Sequence, residues 1–467
     1  MIFPAYLMRG ARVLLMSLVV TACVGLSAAE PVIEGTLPED ILPELKGFLA
    51  TAMNRSPQMI SKEIELAQSE ASRYFSVAAQ RPQVNGNVNY NTNYASTEGG
   101  PANKASALGY SFTANQALYA WNALANQTKI ADIGIKMAQR SYAEAYRALA
   151  NAVRQQYLAL IYKKIAIRNL RYNLNLTERF LVLDEERFKN GSLSSADMIL
   201  PRRNAALARL SMARSDEDYA QAKRQFAHLV GLESISDDAI PLETPKWMAT
   251  AEVAASLLAR YQRDGVESTF QGQVNAMLIK RTELEYKIAK VRLYPKLNAT
   301  ATASQSNNQD VLPGSGSTPG VVRQTNSQNY GYGVAASWAI FDGGSAKGAK
   351  LSALASKRSY ELEKKKLAEA TLDQAQSMVR TLGFTVQAME FTEFAQVSAA
   401  ANVQRMADEF KRGNVAQQAI DTATAQLYDS EAGVAAGRND LLMRWCEFVS
   451  LVGADPILNT IPSRYVR

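Results

Sequence analysis

The sequence predicts an α+β membrane protein assembled from a duplicated strand-strand-helix-helix unit, and three observations carry that expectation. Short motifs recur in the same order: Arg81-Pro82-Gln83-Val84-Asn85 with Tyr294-Pro295-Lys296-Leu297-Asn298, Ser141-Tyr142 with Ser359-Tyr360, Arg187-Phe188-Lys189-Asn190-Gly191 with Glu409-Phe410-Lys411-Arg412-Gly413, and Leu229-Val230-Gly231 with Leu451-Val452-Gly453. Their separations are 213, 218, 222 and 222 residues, so order is kept and the drift is expected in loops. Four stretches alternate apolar and polar residues with a period of two, the period of a strand. Each unit also holds a long proline-free helical run followed by a return helix with a seven-residue apolar ladder.

Composition excludes several functions. Of 467 residues, 47% are hydrophobic, enough for a substantial core, so disorder is ruled out. Fifty-one Lys plus Arg stand against 44 Asp plus Glu, and the excess of +7 reads as scattered, so no nucleic-acid groove is indicated. A single histidine, His228, and two cysteines, Cys23 and Cys446, leave little for a His-based triad, a zinc site or a disulfide framework. No paired-carboxylate hydrolase motif is found either, and neither enzyme activity nor a cofactor or metal is expected.

Taken in order, residues 1–29 read as a secretory signal, with Arg9 and Arg12 ahead of an apolar run, Val13 to Val20, and small residues through Ala29. Two processing routes stay open. Ser27-Ala28-Ala29 suits cleavage before Glu30, whereas Val20-Thr21-Ala22-Cys23 resembles a lipoprotein lipobox and would make Cys23 a lipidation site. Loss of the two signal arginines leaves +5 on the mature chain. Cys446 is then unpaired, and its apolar stretch, Trp445 to Val452, reads as the site of a buried structural thiol.

After a leader, 30–39, the first repeat covers 40–231, with a helix over 40–80, strands over 84–94 and 107–118, a long helix over 122–189 and a return helix over 193–231. A linker, 232–249, precedes the second repeat, 250–453, with a helix over 250–293, strands over 297–306 and 330–340, a long helix over 345–411 and a return helix over 415–453. The tail is 454–467, and the second pair of strands is joined by a Gly/Ser/Asn/Pro loop from Asp310 to Gly320. Pro82 and Pro295 stop the first helix of each repeat. At 1.5 Å per residue, each long helix is a rod on the order of 100 Å, longer than one globular core. Ile420, Leu427, Val434, Leu441 and Phe448, with their counterparts Met198, Ala205, Met212, Tyr219 and Phe226, form ladders that pack the return helices on the long ones.

The strands separate cleanly into two faces. Asn85, Asn87, Asn89, Asn91 and Asn93 lie on one side of the first, and Val84, Val88, Tyr90 and Tyr94 on the other. The remaining strands set Tyr110 and Phe112, and Tyr332 and Trp338, against small or polar partners. No segment after the signal reaches the roughly 18 apolar residues of a membrane helix, so insertion has to use strands. Strands of about 9 to 11 residues cross a bilayer at a tilt, with the aromatic face toward lipid and the asparagine face toward a wet lumen. Four cannot close a barrel, and open edges are not tolerated in lipid, so copies must assemble. Two copies would supply eight strands and a filled interior, three would supply twelve and a water-filled lumen.

The duplicated layout, with an Arg-Phe-x-x-Gly bend between long helices, resembles the TolC family of bacterial outer-membrane channel-tunnels over essentially all of residues 40–455. The resemblance implies a homotrimer in the outer membrane of a Gram-negative bacterium. Its twelve-stranded transmembrane β-barrel would sit in outer-membrane lipid and continue as a periplasmic α-helical barrel. The implied role is the exit duct of a tripartite efflux pump or type I secretion system, working with a periplasmic adaptor (membrane fusion) protein and an inner-membrane RND or ABC transporter. A non-conducting periplasmic or surface coiled-coil scaffold is the rival reading, and no nucleic-acid partner is implied.

The resemblance also assigns sites. Adaptor grooves at the family's tip contain the glycine of each bend, here Gly191 and Gly413, with Phe188 and Phe410 before them. At the periplasmic gate Asp197 matches a network carboxylate, but the other gate positions hold Ala196, Val415, Ala419 and Thr422. Asp421, the nearest acid, would form a threefold ring if its helix phase turns it inward, and would otherwise be an exposed helix carboxylate. Lys411 and Arg412 flank the tip, free to pair with adaptor acids or to remain solvated.

Overall fold

A computed structural model describes residues 37–95, 103–244, 251–312 and 320–465; the signal with Cys23 and the centre of the Asp310 to Gly320 loop lie outside them. The stretch expected as one helix over 40–80 is three, α1 (Pro38–Ile41), α2 (Pro43–Arg55) and α3 (Pro57–Ala78). Proline opens each of them, because it lacks an N–H and is tolerated in a first turn but not in a helix interior. Strands β1 (Gln83–Ala95) and β2 (Asn103–Tyr119) lead into α4 (Ala123–Lys189) and α5 (Ile199–Val230). In the second half, α6 (Ala251–Asp264) and α7 (Phe270–Lys290) replace the single helix expected over 250–293. They are parted at Gly265, whose φ of +72° ends α6. Strands β3 (Lys296–Leu312) and β4 (Val321–Ser337) then lead into α8 (Ser345–Lys411) and α9 (Gln417–Leu451).

The strands form one antiparallel sheet in the order β1-β2-β3-β4. Asn89 lies opposite Gly109 and Asn85 opposite Thr113, so the asparagines share a face with the small residues of β2. Gly109 has a steric reason: a Cβ there would stand 2.6 Å from Asn89 Oδ1. Tyr110 pairs with Gln305, and Ala301 with Tyr332, on the opposite face. The strands run longer than expected, to 17 residues in β2, β3 and β4, because polar residues without hydrophobic alternation continue the ladder through Leu312 and from Val321. Trp338 falls just past β4 rather than within it.

Backbone dihedrals display the duplication directly. Trp121, Asn122, Gly191 and Gly231 have positive φ, and so do Gly343, Gly344, Gly413 and Gly453, each 222 residues later. Helices α4 and α8 are both 67 residues long with ends 222 apart. The 218-residue match of Ser141-Tyr142 with Ser359-Tyr360 is therefore four residues, about one helical turn, out of register inside a helix. Drift in a loop cannot account for it, and those residues are not equivalent.

Most rungs of the ladders are buried where α5 packs on α4 and α9 on α8, while Tyr219, Ile420 and Leu427 are half-buried. Met198, Ala205, Phe226, Val434, Leu441 and Phe448 are all 3% exposed or less. A core does exist, although neither repeat encloses it alone. Tyr157 of α4 contacts Phe48 of α2 and Phe226 of α5, and Trp445 and Phe448 of α9 are fully buried beside the C-terminal tail. Cys446 is buried here as a free thiol, and burial pushes its pKa well above the ordinary range.

Candidate functional site

Each long helix ends in the same hydrogen-bonded turn. Gly191 donates to the Phe188 carbonyl at 3.0 Å and Ser192 to that of Arg187 at 2.9 Å; Gly413 donates to Phe410 at 2.9 Å and Asn414 to Glu409 at 3.0 Å. This double closure is a Schellman motif, and it needs a residue that accepts positive φ, here +74° and +77°. No atom would lie within 4 Å of an added Cβ at either glycine, so conformation and not space selects the residue. Phe188 and Phe410 are partly exposed beside the turns, leaving each bend with an accessible aromatic and a bare backbone.

Within the single chain each expected gate residue has a local partner. Asp197 is occupied locally, accepting from the Ser194 hydroxyl at 2.6 Å and the Ser194 N–H at 3.3 Å, and these two bonds hold its carboxyl below the usual range. The same closed turn, with Pro201 fitting the first turn beyond it, delays the return helix from the expected 193 to Ile199. Lys411 pairs with Asp408 at 3.4 Å and Arg412 with Glu409 at 3.2 Å, both within α8. Asp421 is 8% exposed in the chain, so it is neither an exposed helix carboxylate nor turned away from its own subunit. On α9 it packs against α4, 3.5 Å from Arg179, accepts from Gln417 Nε2 at 3.2 Å, and its carbonyl accepts from the Tyr172 hydroxyl.

Asp421 is one rung of a polar seam between α4 and α9 that sequence reasoning missed. Asn169 Nδ2 donates to Asp429 at 2.5 Å, Arg168 pairs with Glu431, and Tyr172 stacks edge-on against Tyr428 with centroids 5.0 Å apart. On the other side of α4, Glu178 pairs with Arg209 of α5 at 2.8 Å. Farther along α4, Arg154 is buried and bound by Asp455 at 2.7 Å and by Glu39. Burial opposes its charge, but the two carboxylates outweigh burial and raise its pKa. No local pattern marks these partners, since they come from different elements.

In the sheet, Tyr90, Tyr94, Phe112 and Tyr332 are exposed on one face, Tyr332 at 95%. Below it, Trp121 donates through Nε1 to the Pro295 carbonyl at 2.7 Å and stacks on Tyr119 and Tyr294 at 5.1 Å each. Trp338 donates to the Leu293 carbonyl at 2.9 Å. An aromatic belt thus runs where strands hand over to helices. Among the described residues no helix is long and apolar enough to cross a membrane, and no group of three His, Cys, Asp or Glu residues could hold a metal ion.

Solved structures share this fold. The chain aligns over 88% of its length with 86% of the CmeC outer membrane channel of Campylobacter jejuni, at TM-score 0.66 and 10% identity. It aligns equally with 96% of VceC, an outer membrane protein of Vibrio cholerae, at 0.60 and 16% identity, and with 89% of the open-state MtrE outer membrane channel of Neisseria gonorrhoeae, at 0.61 and 13%. No curated protein matches significantly in sequence. Residues 48–232 match the family described as outer membrane efflux protein, and over 88% of its length the chain has the fold of the TolC-like outer-membrane channels.

Proposed function

We propose that three copies of this chain form an outer-membrane exit duct that conducts solutes passively from periplasm to exterior. The observation that carries this reading is the sheet: four antiparallel strands, aromatic on one face and asparagine-rich on the other, with β1 and β4 as open edges. Unpaired edge groups cannot face lipid, and pairing β1 of one copy with β4 of the next satisfies both. Three copies give a closed ring of twelve strands with the asparagines lining water. The helices support the same closure: Phe384, Phe391 and Phe394 of α8 are about 70% exposed, as is the apolar face of α5 at Leu207 and Leu210 to a lesser degree. Two different faces of one chain that cover each other make a head-to-tail contact, which closes as a ring.

The helical tip is the docking site for a periplasmic adaptor, which couples the duct to an inner-membrane transporter. Phe188, Gly191, Phe410 and Gly413 supply its aromatic and backbone contacts. Lys411 and Arg412 stay within reach of adaptor acids, because both are exposed and their present pairs, one helical turn away in the same chain, are worth little. Purified outer membrane should yield a heat-modifiable trimer that conducts ions in planar bilayers. A soluble monomer without conductance would refute the duct and favour the scaffold reading.

A further inference from the structure

The positive excess that reads as scattered in the sequence is gathered in space. The strand-to-helix connections and their adjoining helix turns are residues 79–82, 119–130, 286–296 and 337–351. They contain Arg81 before β1, Lys129 on α4, and Lys347 and Lys350 on α8. Lys287, Lys290, Arg292 and Lys296 belong to the end of α7 and the start of β3. Within these stretches one acid, Asp342, stands against the eight cations, an excess of +7; Glu285, one residue before the third stretch and beside Arg292 and Lys296 in the same groove, is taken up by Arg281 at 2.9 Å. The rest of the full sequence, the signal's Arg9 and Arg12 included, is neutral in sum, so the rest of the mature chain carries −2.

Asp342 does not neutralise its surroundings. Its carboxylate accepts from the Gly344 and Ala346 N–H groups at 3.2 and 2.7 Å at the start of α8, and lies 3.9 Å from Arg292. Among the described residues none of the other seven cations has a carboxylate at ion-pair distance, and all but Lys350 are exposed. In the groove between α4 and α7 the two acids are engaged elsewhere: Asp132 by Arg73 at 2.6 Å and Glu283 by Lys357 at 2.8 Å.

The collar's height and facing identify its partner. Lys129 follows Trp121 by eight residues and Lys287 precedes Tyr294 by seven, about 10 to 12 Å along the helices from the aromatic belt. A belt of Trp and Tyr sits at headgroup level, and the headgroup layer is about 5 to 8 Å deep, within reach of an extended lysine. Lys129 begins a seven-residue row on α4 that ends at Tyr157, which packs on Phe48 of α2. Such a row drifts about 20° per heptad on a straight helix, so over four heptads Lys129 stays within about 80° of the face that carries α2, which would obstruct a lumen and so lies outside.

We propose that this collar binds the phosphate headgroups of anionic lipid in the leaflet that faces the helices; the proposal rests on the membrane-barrel reading above. The test uses the full-length trimer in vesicles of phosphatidylcholine with or without phosphatidylglycerol, with retained lipid counted by native mass spectrometry. Wild type should retain phosphatidylglycerol preferentially. Combined Lys129→Gln, Lys287→Gln, Lys290→Gln and Lys347→Gln should weaken that preference roughly fivefold per lysine, and added salt should weaken it for wild type. The matching arginine variant should restore it, and Lys365→Gln with Lys366→Gln on mid-α8 should leave it intact. Equal retention by wild type and the glutamine variant overturns the proposal, and so does a change in ion selectivity with unchanged retention, which would assign the cations to the lumen. Wild type that inserts into neither vesicle overturns the barrel reading itself, whereas insertion into both without lipid preference overturns the collar alone.

Discussion

Replacing Arg154 by methionine should be among the most damaging single changes in the chain. The guanidinium is 1% exposed, and its removal strands the Asp455 carboxylate at 0% and that of Glu39 at 11%. Breaking one side of a buried ion pair costs about 3 to 5 kcal/mol, because the remaining charge stays desolvated. The cost should fall on a defined region, since Glu39 ties down α1 and Asp455 opens the tail helix Pro456–Thr460, accepting from the Ile457 N–H at 3.1 Å. Thermal inactivation half-life of the solubilised trimer measures the overall loss, a rate being appropriate for a large assembly that unfolds irreversibly. Limited proteolysis measures the local loss, with new cleavage expected near both termini. Adding Asp455→Asn should recover part of the loss by removing the stranded charge. An Arg154→Met trimer with wild-type half-life and unchanged cleavage would refute the reasoning.

Gly191→Ala and Gly413→Ala should each cost about 1 to 2 kcal/mol from backbone conformation alone, whereas Gly231→Ala should cost more in a melt, because its Cβ would stand 2.5 Å from the Arg55 carbonyl. Transport lost in the tip variants while trimers survive would support adaptor docking there, and undiminished export would refute it. Asp421→Asn removes an ion pair to a half-exposed Arg179, worth about 0.2 to 1 kcal/mol per copy, so three copies should shift a closed duct toward conduction by at most about 160-fold. Conductance unchanged in both Asp421→Asn and Arg179→Gln would remove the seam from gating. Cys446 should resist maleimide in the native trimer and react after denaturation, since burial keeps its thiol protonated.

What could be read in advance depended on whether the signal was local. Five asparagines at alternate positions announce a strand with two chemically distinct faces, and a seven-residue ladder announces a packed helix, because both patterns repeat within a few turns. The end of β3 was missed where Asn307 to Leu312 extends it beyond the expected 306 without hydrophobic alternation, pairing being sustained by backbone bonds. Pro43 and Pro57 were readable as helix starts but were absorbed into one run. The Arg154 cluster joins residues 39, 154 and 455, so no window contains it. Asp421 shows the same limit: its partners on α4 are fixed by how two helices pack, and sequence spacing within α9 says nothing of them. The basic collar went unseen for a related reason, since its cations come from four separate stretches that the sheet brings to one level.

The two repeats solve one turn in different ways, and that difference can be weighed. Between strand and long helix the backbone takes two successive left-handed steps, supplied by Gly343 and Gly344 in the second repeat, at φ of +67° and +90°. The first repeat places Trp121 and Asn122 there, at +51° and +61°. Asparagine tolerates the conformation, but a bulky residue is an outlier, strained by about 1 to 2 kcal/mol. The indole offsets that strain with a hydrogen bond to Pro295, about 0.5 to 1.5 kcal/mol, and with two aromatic contacts of about 0.5 to 1.5 kcal/mol each. Since Tyr119 and Tyr294 belong to different repeats, these contacts clamp one hairpin to the other at the belt. Trp121→Gly should therefore destabilise the trimer by about 1 kcal/mol or more even though it relieves the backbone. Trp121→Phe, which keeps a ring but not the donor, should fall between in thermal half-life. A glycine variant more stable than wild type would mean that the strain outweighs the clamp, and that the first repeat tolerates this turn without being held by it.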